Sequence, residues 1–191
     1  MTNNFLVATL GNPGPEYAKT RHNIGHMVFD KVIERLNLTV KNIKIGSISL
    51  FEEEAKTFYL YKPLCYMNES GFYIKKIKDK FSVASDRILI IHDDKDLPFG
   101  KIKFKSGGGS AGHRGVASIV EQIGKNFIRL KLGIGVENIV DTSEFVLSKF
   151  SRQEQVILEE FLMMAAQSLY IYMCQGLAVA MNLYNGKMIN V

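Results

Sequence analysis

Cysteine is scarce in this chain. Cys65 and Cys174 are the only two in 191 residues, and neither has a C-x-x-C partner. That leaves no basis for a disulfide framework or a cysteine zinc site, and it suits a reducing cytoplasm. The N-terminal Met1-Thr-Asn-Asn lacks the basic region and long apolar stretch of a secretory signal. No apolar run approaches the ~20 residues needed to span a bilayer. The densest, Phe161 to Ala166, is broken by Gln167 and Ser168, so no membrane segment is expected. Internal repeats, low-complexity tracts and linkers are also missing, which argues against arrays and multidomain chains.

What is there reads as one ordinary globule. Apolar residues make up 47% and charged residues 23% of the chain. A chain of this length can bury a sizeable core, so residues 1–191 are expected to form a single domain. The net charge of +5 is compatible with a polyanionic partner, although many basic proteins bind none.

The hydrophobic patterning predicts strands interleaved with helices. Phe5 to Leu10 reads as a buried strand and Ile24 to Leu38 as an amphipathic helix. Lys44–Phe51 and Lys56–Tyr61 alternate, predicting a hairpin about Glu52-Glu-Glu54. Asn68 to Phe81 has helical spacing. Arg87 to His92 is nearly all apolar and β-branched, the mark of a central strand covered on both faces. Lys101 to Lys105 alternates strictly and predicts a strand with one wet, basic face. Further elements are expected at His113–Gly124 (helix), Arg129–Gly135 (strand), Ser151–Gln175 (long helix) and Leu177–Leu183 (short helix). The fold class is therefore α/β, with a mixed, mostly parallel central sheet surrounded by helices.

Four segments carry chemistry, and each ends a strand or opens a helix. Gly11 to Asn23 brings two amides (Asn12, Asn23), the Arg21 guanidinium and the His22 imidazole into one turn-rich loop. For any one of these alone, a turn or cap role is the simpler reading. Lys62 to Gly71 carries Tyr66 and Asn68. His92 to Gly100 places Asp93 at the end of a buried strand, where a carboxylate can orient an imidazole. A plain acidic turn ranks second there, and a metal site built on Asp93, Asp94 and Asp96 a distant third. Gly107 to Gly115 is a glycine-rich loop opening a helix, suited to phosphate, though a flexible turn explains it as well. It is neither a Walker A loop nor a dinucleotide fingerprint. The preceding lysines Lys101, Lys103 and Lys105 tilt it toward a phosphate backbone, against the alternative of a solvated face.

No Gly-x-Ser-x-Gly elbow is present. Nothing near Cys65 would lower its pKa, so it is expected to pack rather than react. A histidine held by an aspartate, without a Ser or Cys nucleophile, leaves one economical chemistry. The imidazole activates water, and amide side chains position a carbonyl and its developing oxyanion.

Taken together, these segments resemble bacterial peptidyl-tRNA hydrolase. The resemblance rests on Gly11-Asn-Pro-Gly14 with Tyr17 and Thr20-Arg-His-Asn23, and on Lys62-Pro63 with Met67-Asn-x-Ser-Gly71. It continues through His92-Asp-Asp with Asp96-Leu-Pro and Gly100, then Gly107-Gly with Gly112-His113 and Gly115. Arg129-Leu-Lys-Leu-Gly-Ile-Gly135 and Phe145-Val-Leu-Ser148 complete it. The resemblance implies cleavage of the ester between a nascent peptide and tRNA, by a monomer with no metal or organic cofactor. It implies that His22 is the general base, that Asp93 orients it, and that Asn12 and Asn68 position substrate and water. Tyr17 would line the cleft, and Lys105 with a basic residue of the Arg129–Lys131 strand would hold phosphate. Tyr66, His113, Arg114 and Lys131 complete the expected substrate-binding set. One departure stands out: the family's usual Gly-His-Asn-Gly is here Gly112-His-Arg-Gly115. An arginine there offers only donors and a permanent charge. The competing reading is a non-catalytic RNA-binding protein of the same fold; a nucleotide-binding α/β protein fails for want of a fingerprint.

Overall fold

The structure is a computed structural model that describes residues 3–136 and 141–189. Seven strands form one mixed sheet: β1 (Asn4–Thr9), β2 (Val40–Ile43), β3 (Gly46–Glu53), β4 (Lys56–Pro63), β5 (Ile88–Pro98), β6 (Ile102–Ser106) and β7 (Ile128–Gly135). Their order across the sheet is β2-β3-β4-β1-β5-β7-β6. The centre is parallel, β4-β1-β5-β7, and both edges are antiparallel. Among the described residues, six helices cover it: α1 (Ile24–Leu36), α2 (Ser70–Lys80), α3 (Arg114–Ile123), α4 (Thr142–Leu147), α5 (Arg152–Gln175) and α6 (Leu177–Tyr184).

Helical periodicity decides which face each helix buries. In α1, Ile24, Val28, Phe29 and Val32 recur at three- and four-residue steps and are all buried. They meet alternate residues of the central strands, such as Val7, Leu89 and Ile91, together with Phe161 and Leu169 of α5. Each such side chain contributes about 1.5–3 kcal/mol through burial. The opposite sheet face, with Leu6, Ala8, Ile88 and Ile90, packs under α2 and α3. There Gly71 lets the start of α2 lie on α3: a Cβ at this position would sit 2.0 Å from the Ser118 carbonyl oxygen. By length and composition α5 could cross a membrane. Its Phe161, Leu162, Ala165, Leu169 and Met173 are instead packed into the core.

The predicted hairpin, three of the four other predicted strands and the long helix stand close to their expected bounds. Two short elements, β2 and α4, carry no hydrophobic pattern of their own. The strand expected to end at His92 runs on to Pro98, because Asp93 and Asp94 continue the ladder opposite Leu132 and Gly133. The basic strand is real and lies at the sheet edge. Ile102 and Phe104 point into the core, while Lys103 and Lys105 are exposed.

Neighbouring β1 and β5 send their chains onward toward opposite edges of the sheet, to β2 and β6. A crevice opens beyond their carboxyl ends, the usual place for a site in such a sheet.

Candidate active site

His22 follows β1 in a single 3-10 turn, Arg21–Asn23, that runs into α1. Reciprocal bonds fix the loop before it. The Asn12 backbone N–H donates to Asn23 Oδ1, and Asn23 Nδ2 donates to the Asn12 carbonyl, both at 2.9 Å. The Asn12 side-chain oxygen accepts from the Met67 N–H at 2.9 Å. This bond ties the first loop to a second 3-10 turn, Met67–Glu69, which presents Asn68. That bond turns Oδ1 toward Met67 and leaves the Nδ2 hydrogens of Asn12 to donate to a ligand.

Asp93 lies on β5, beside β1, and is buried. His22 Nδ1 stands 2.9 Å from both of its carboxylate oxygens, and His113 Nε2 stands 2.9 Å from Oδ1. Burial opposes the charge on Asp93. The His113 and His22 imidazoles outweigh it and hold the carboxyl below the usual carboxylate range. An ionised carboxylate only accepts, so both imidazoles donate to it. His22 therefore carries its proton on Nδ1 and keeps a lone pair on Nε2. His113 Nδ1 accepts from the Val116 N–H at 3.3 Å, which caps α3. Its proton is thereby held on Nε2, toward Asp93. One helix cap and one carboxylate fix two tautomers.

The third imidazole, His92, is buried, and its Nδ1 donates to the Asp93 carbonyl at 2.7 Å. Burial, with His113 adjacent, pushes its pKa down to about 3, so it is neutral. Its ring packs edge-on against His113, centroids 4.9 Å apart.

These groups open into a cleft of about 320 Å³. Asn12, His22, Asn68, Asp93, Tyr66, His113, Arg114, Lys105 and Lys131 all line it. Arg114 and Lys105 are exposed, and the opposite lip is formed by α4 through Thr142, Val146 and Leu147. The arrangement can abstract a proton at His22 Nε2, stabilise the resulting imidazolium through Asp93, and donate amide hydrogens to a developing oxyanion. His22, Asp93 and His113 also offer ligand atoms within 4.8 Å of one another, the spacing of a metal site. Here both imidazole donors are turned onto the carboxylate, so a cation would have to displace those bonds.

A peptidyl-tRNA hydrolase family model matches residues 6–191. The chain belongs to the peptidyl-tRNA hydrolase family. A peptidyl-tRNA hydrolase of Thermodesulfovibrio yellowstonii is 40% identical over 184 residues, covering 95% of this chain and 98% of that protein. One from Mycoplasmopsis synoviae is 39% identical, covering 95% and 96%. A crystal structure of the peptidyl-tRNA hydrolase of Acinetobacter baumannii superposes with a TM-score of 0.89 at 34% identity, covering 98% of this chain and 97% of that one. A peptidyl-tRNA hydrolase solved with n-propanol gives a TM-score of 0.90 at 35% identity, covering 100% and 98%.

Within this peptidyl-tRNA hydrolase fold, Tyr17 and the basic residues of β7 have surroundings that the sequence does not announce. Tyr17 is not among the residues that line the cleft. It sits half-buried in consecutive turns, where its N–H donates to Gly14 and its carbonyl accepts from the Thr20 N–H and hydroxyl. Arg129, on the strand expected to hold phosphate, is buried, and its guanidinium donates to the Gly108 and Gly109 carbonyls. It braces the glycine-rich loop from below. Lys131 does face the cleft, but its ammonium is paired with Asp94. These partners come from separate elements, and no local sequence signal joins them. Of the α4 lip, the sequence marks only the Phe145-Val-Leu-Ser148 match, without a role at the cleft. Cys65 is buried and its thiol pKa is pushed up to about 12 by that burial, so it stays protonated and inert.

Proposed function

We propose that this chain hydrolyses the ester joining a peptide to tRNA, with His22 activating water. The observation that carries the reading is the carboxylate-held His22 with its Nε2 lone pair free in the cleft. Water held at Nε2 loses a proton to the imidazole as its oxygen attacks the ester carbonyl. Asp93 stabilises the imidazolium. Asn68, exposed at the cleft, and the free Nδ2 hydrogens of Asn12 donate to the oxyanion. Collapse breaks the acyl–oxygen bond, and the imidazolium returns the proton to the leaving ribose oxygen. The products are the peptide acid and free tRNA. His113 acts through Asp93, as its second donor.

Several observations support tRNA as the carrier of the ester. Lys105 is exposed at the cleft, and Lys103 lies directly across the ladder from Lys131. Arg114 adds a guanidinium without an ion-pair partner among the described residues. We read residues 1–191 as one functional unit, a cytoplasmic monomer that needs no cofactor and no membrane; the free cysteines fit that setting.

Incubation of the purified chain with an N-acylated aminoacyl-tRNA should release the acyl amino acid and free tRNA. Tight binding without release would favour the RNA-binding alternative instead. For the basic rim, Lys105→Ala should weaken tRNA binding and lower the log–log salt slope by about one. Hydrolysis of a minimal ester without the tRNA body should be unaffected. Arg114→Asn separates two roles. Weaker binding with an unchanged chemical step means that the guanidinium grips phosphate. A faster chemical step with unchanged binding means that it crowds the water. If neither variant changes affinity or slope, these cations are only a solvated face.

A further inference from the structure

We propose that the buried Arg21–Glu154 pair is a positioning device for catalysis, locking the His22 turn onto the start of α5 and the end of α4. The proposal rests on the reading of His22 as the base.

Arg21 immediately precedes His22, yet its side chain points away from the cleft into the protein. Arg21 and Glu154 are 5% and 6% exposed. Their contact is a bidentate fork, Nη1 to Oε1 at 2.6 Å and Nη2 to Oε2 at 2.7 Å. Arg21 Nε donates to Ser148 Oγ at 3.2 Å. The guanidinium also packs on Phe145 and Phe150, at 4.5 and 5.1 Å from the ring centroids. The backbone repeats the attachment. The Arg21 N–H donates to the Ser148 carbonyl at 3.0 Å, and Thr20 bridges to Lys149.

Glu154 is itself fixed. It is the third residue of α5, and its Oε2 accepts from the Ser151 N–H while its own N–H donates to Ser151 Oγ. This capping box anchors the carboxylate to a 24-residue helix whose apolar face is in the core. On the other side of His22, Asn23 is bound twice to Asn12. The base is thus clamped at both flanking residues, while Asp93 sets its ring.

A buried ion pair is a poor source of net stability, because desolvation offsets its attraction. Positioning is a better account of its place beside the base. A misplacement of about 1 Å costs on the order of 10²-fold in rate. The pair also connects the base to α4, whose Val146 and Leu147 form the cleft's lip.

The test is the double variant Arg21→Leu/Glu154→Leu, measured beside Arg21→Lys, His22→Ala and wild type. The double variant removes both charges together and leaves no buried ion unpaired. Arg21→Lys keeps the charge but loses the fork and the Ser148 contact. The readouts are the single-turnover rate on N-acylated aminoacyl-tRNA, tRNA affinity, and the downfield proton resonance of His22 Nδ1–H bonded to Asp93. Both variants should lose about tenfold or more in rate. Their tRNA affinity should stay within about twofold, since neither side chain reaches the surface, and the resonance should shift or broaden. A wild-type rate with an unchanged resonance in either folded variant overturns the proposal. Should the double variant not fold, Arg21→Lys decides alone. An active His22→Ala would instead overturn the reading of the base, so the two failures are distinguishable.

Discussion

His22→Ala is expected to lower the single-turnover rate of ester hydrolysis by ~10²–10⁴-fold, the range contributed by a positioned general base. tRNA affinity should hardly change, because the cations at the cleft rim, Lys105 and Arg114, are untouched. The fold should also survive. His22 lies in a three-residue turn fixed through its neighbours, by Arg21 on Glu154 and Asn23 on Asn12. Removing the ring does leave Asp93 with one imidazole donor, His113. Some loss of stability at neutral pH follows, since a buried carboxylate has lost one of its two partners. A folded variant that turns over within a few-fold of wild type would contradict the assigned role.

The second large effect is acid sensitivity. His26 and His92 are buried, and burial lowers each pKa to about 3; Lys62 assists at His26 and His113 at His92. In the unfolded chain both titrate near the ordinary value of about 6.5. Between those values the unfolded state binds more protons, so stability falls as pH drops. It is fully present above about pH 6.5 and fades on the way to pH 3. At pH 5 each histidine costs about 2 kcal/mol, or about 4 together. That is a large part of a typical total of about 5–15 kcal/mol. Asp93 acts lower: its carboxyl is depressed by its imidazole partners, so its share is lost only below the ordinary carboxylate range. Thermal unfolding should therefore drop by roughly 8–16 °C between pH 7.5 and pH 5. His26→Phe should remove about half of that slope, since it deletes one buried base at the cost of its bond to Thr9. A melting temperature independent of pH over this window would contradict the linkage.

What the sequence made legible follows from the range of each interaction. Strand and helix faces such as Ile88–Ile91 or Val28–Val32 announce themselves through local period, and the structure buries those residues. The juxtaposition of His22 and Asp93, which are 71 residues apart, has no local signature. Residue chemistry and family resemblance point to it, and the structure places the two side chains in contact. Partnerships between distant charges were invisible. Arg129 and Lys131 look alike as basic residues on an alternating strand. Only the fold puts Gly108 and Gly109 carbonyls above one and the Asp94 carboxylate beside the other. Tyr17 sits in consecutive turns whose backbone bonds its motif does not encode. The Ser151–Glu154 capping box, by contrast, is readable from spacing alone. Its second use, holding Arg21, needed the structure.

The central claim is that water activated at His22 cleaves the acyl–oxygen bond of peptidyl-tRNA. Its most direct test is hydrolysis of an N-acylated aminoacyl-tRNA in isotopically labelled water, by wild type and by His22→Ala. Wild type should place one labelled oxygen in the released carboxylate and none on the tRNA, and the variant should form that product at least about a hundredfold more slowly. Label on the ribose, no release, or equal rates from the two proteins would contradict it.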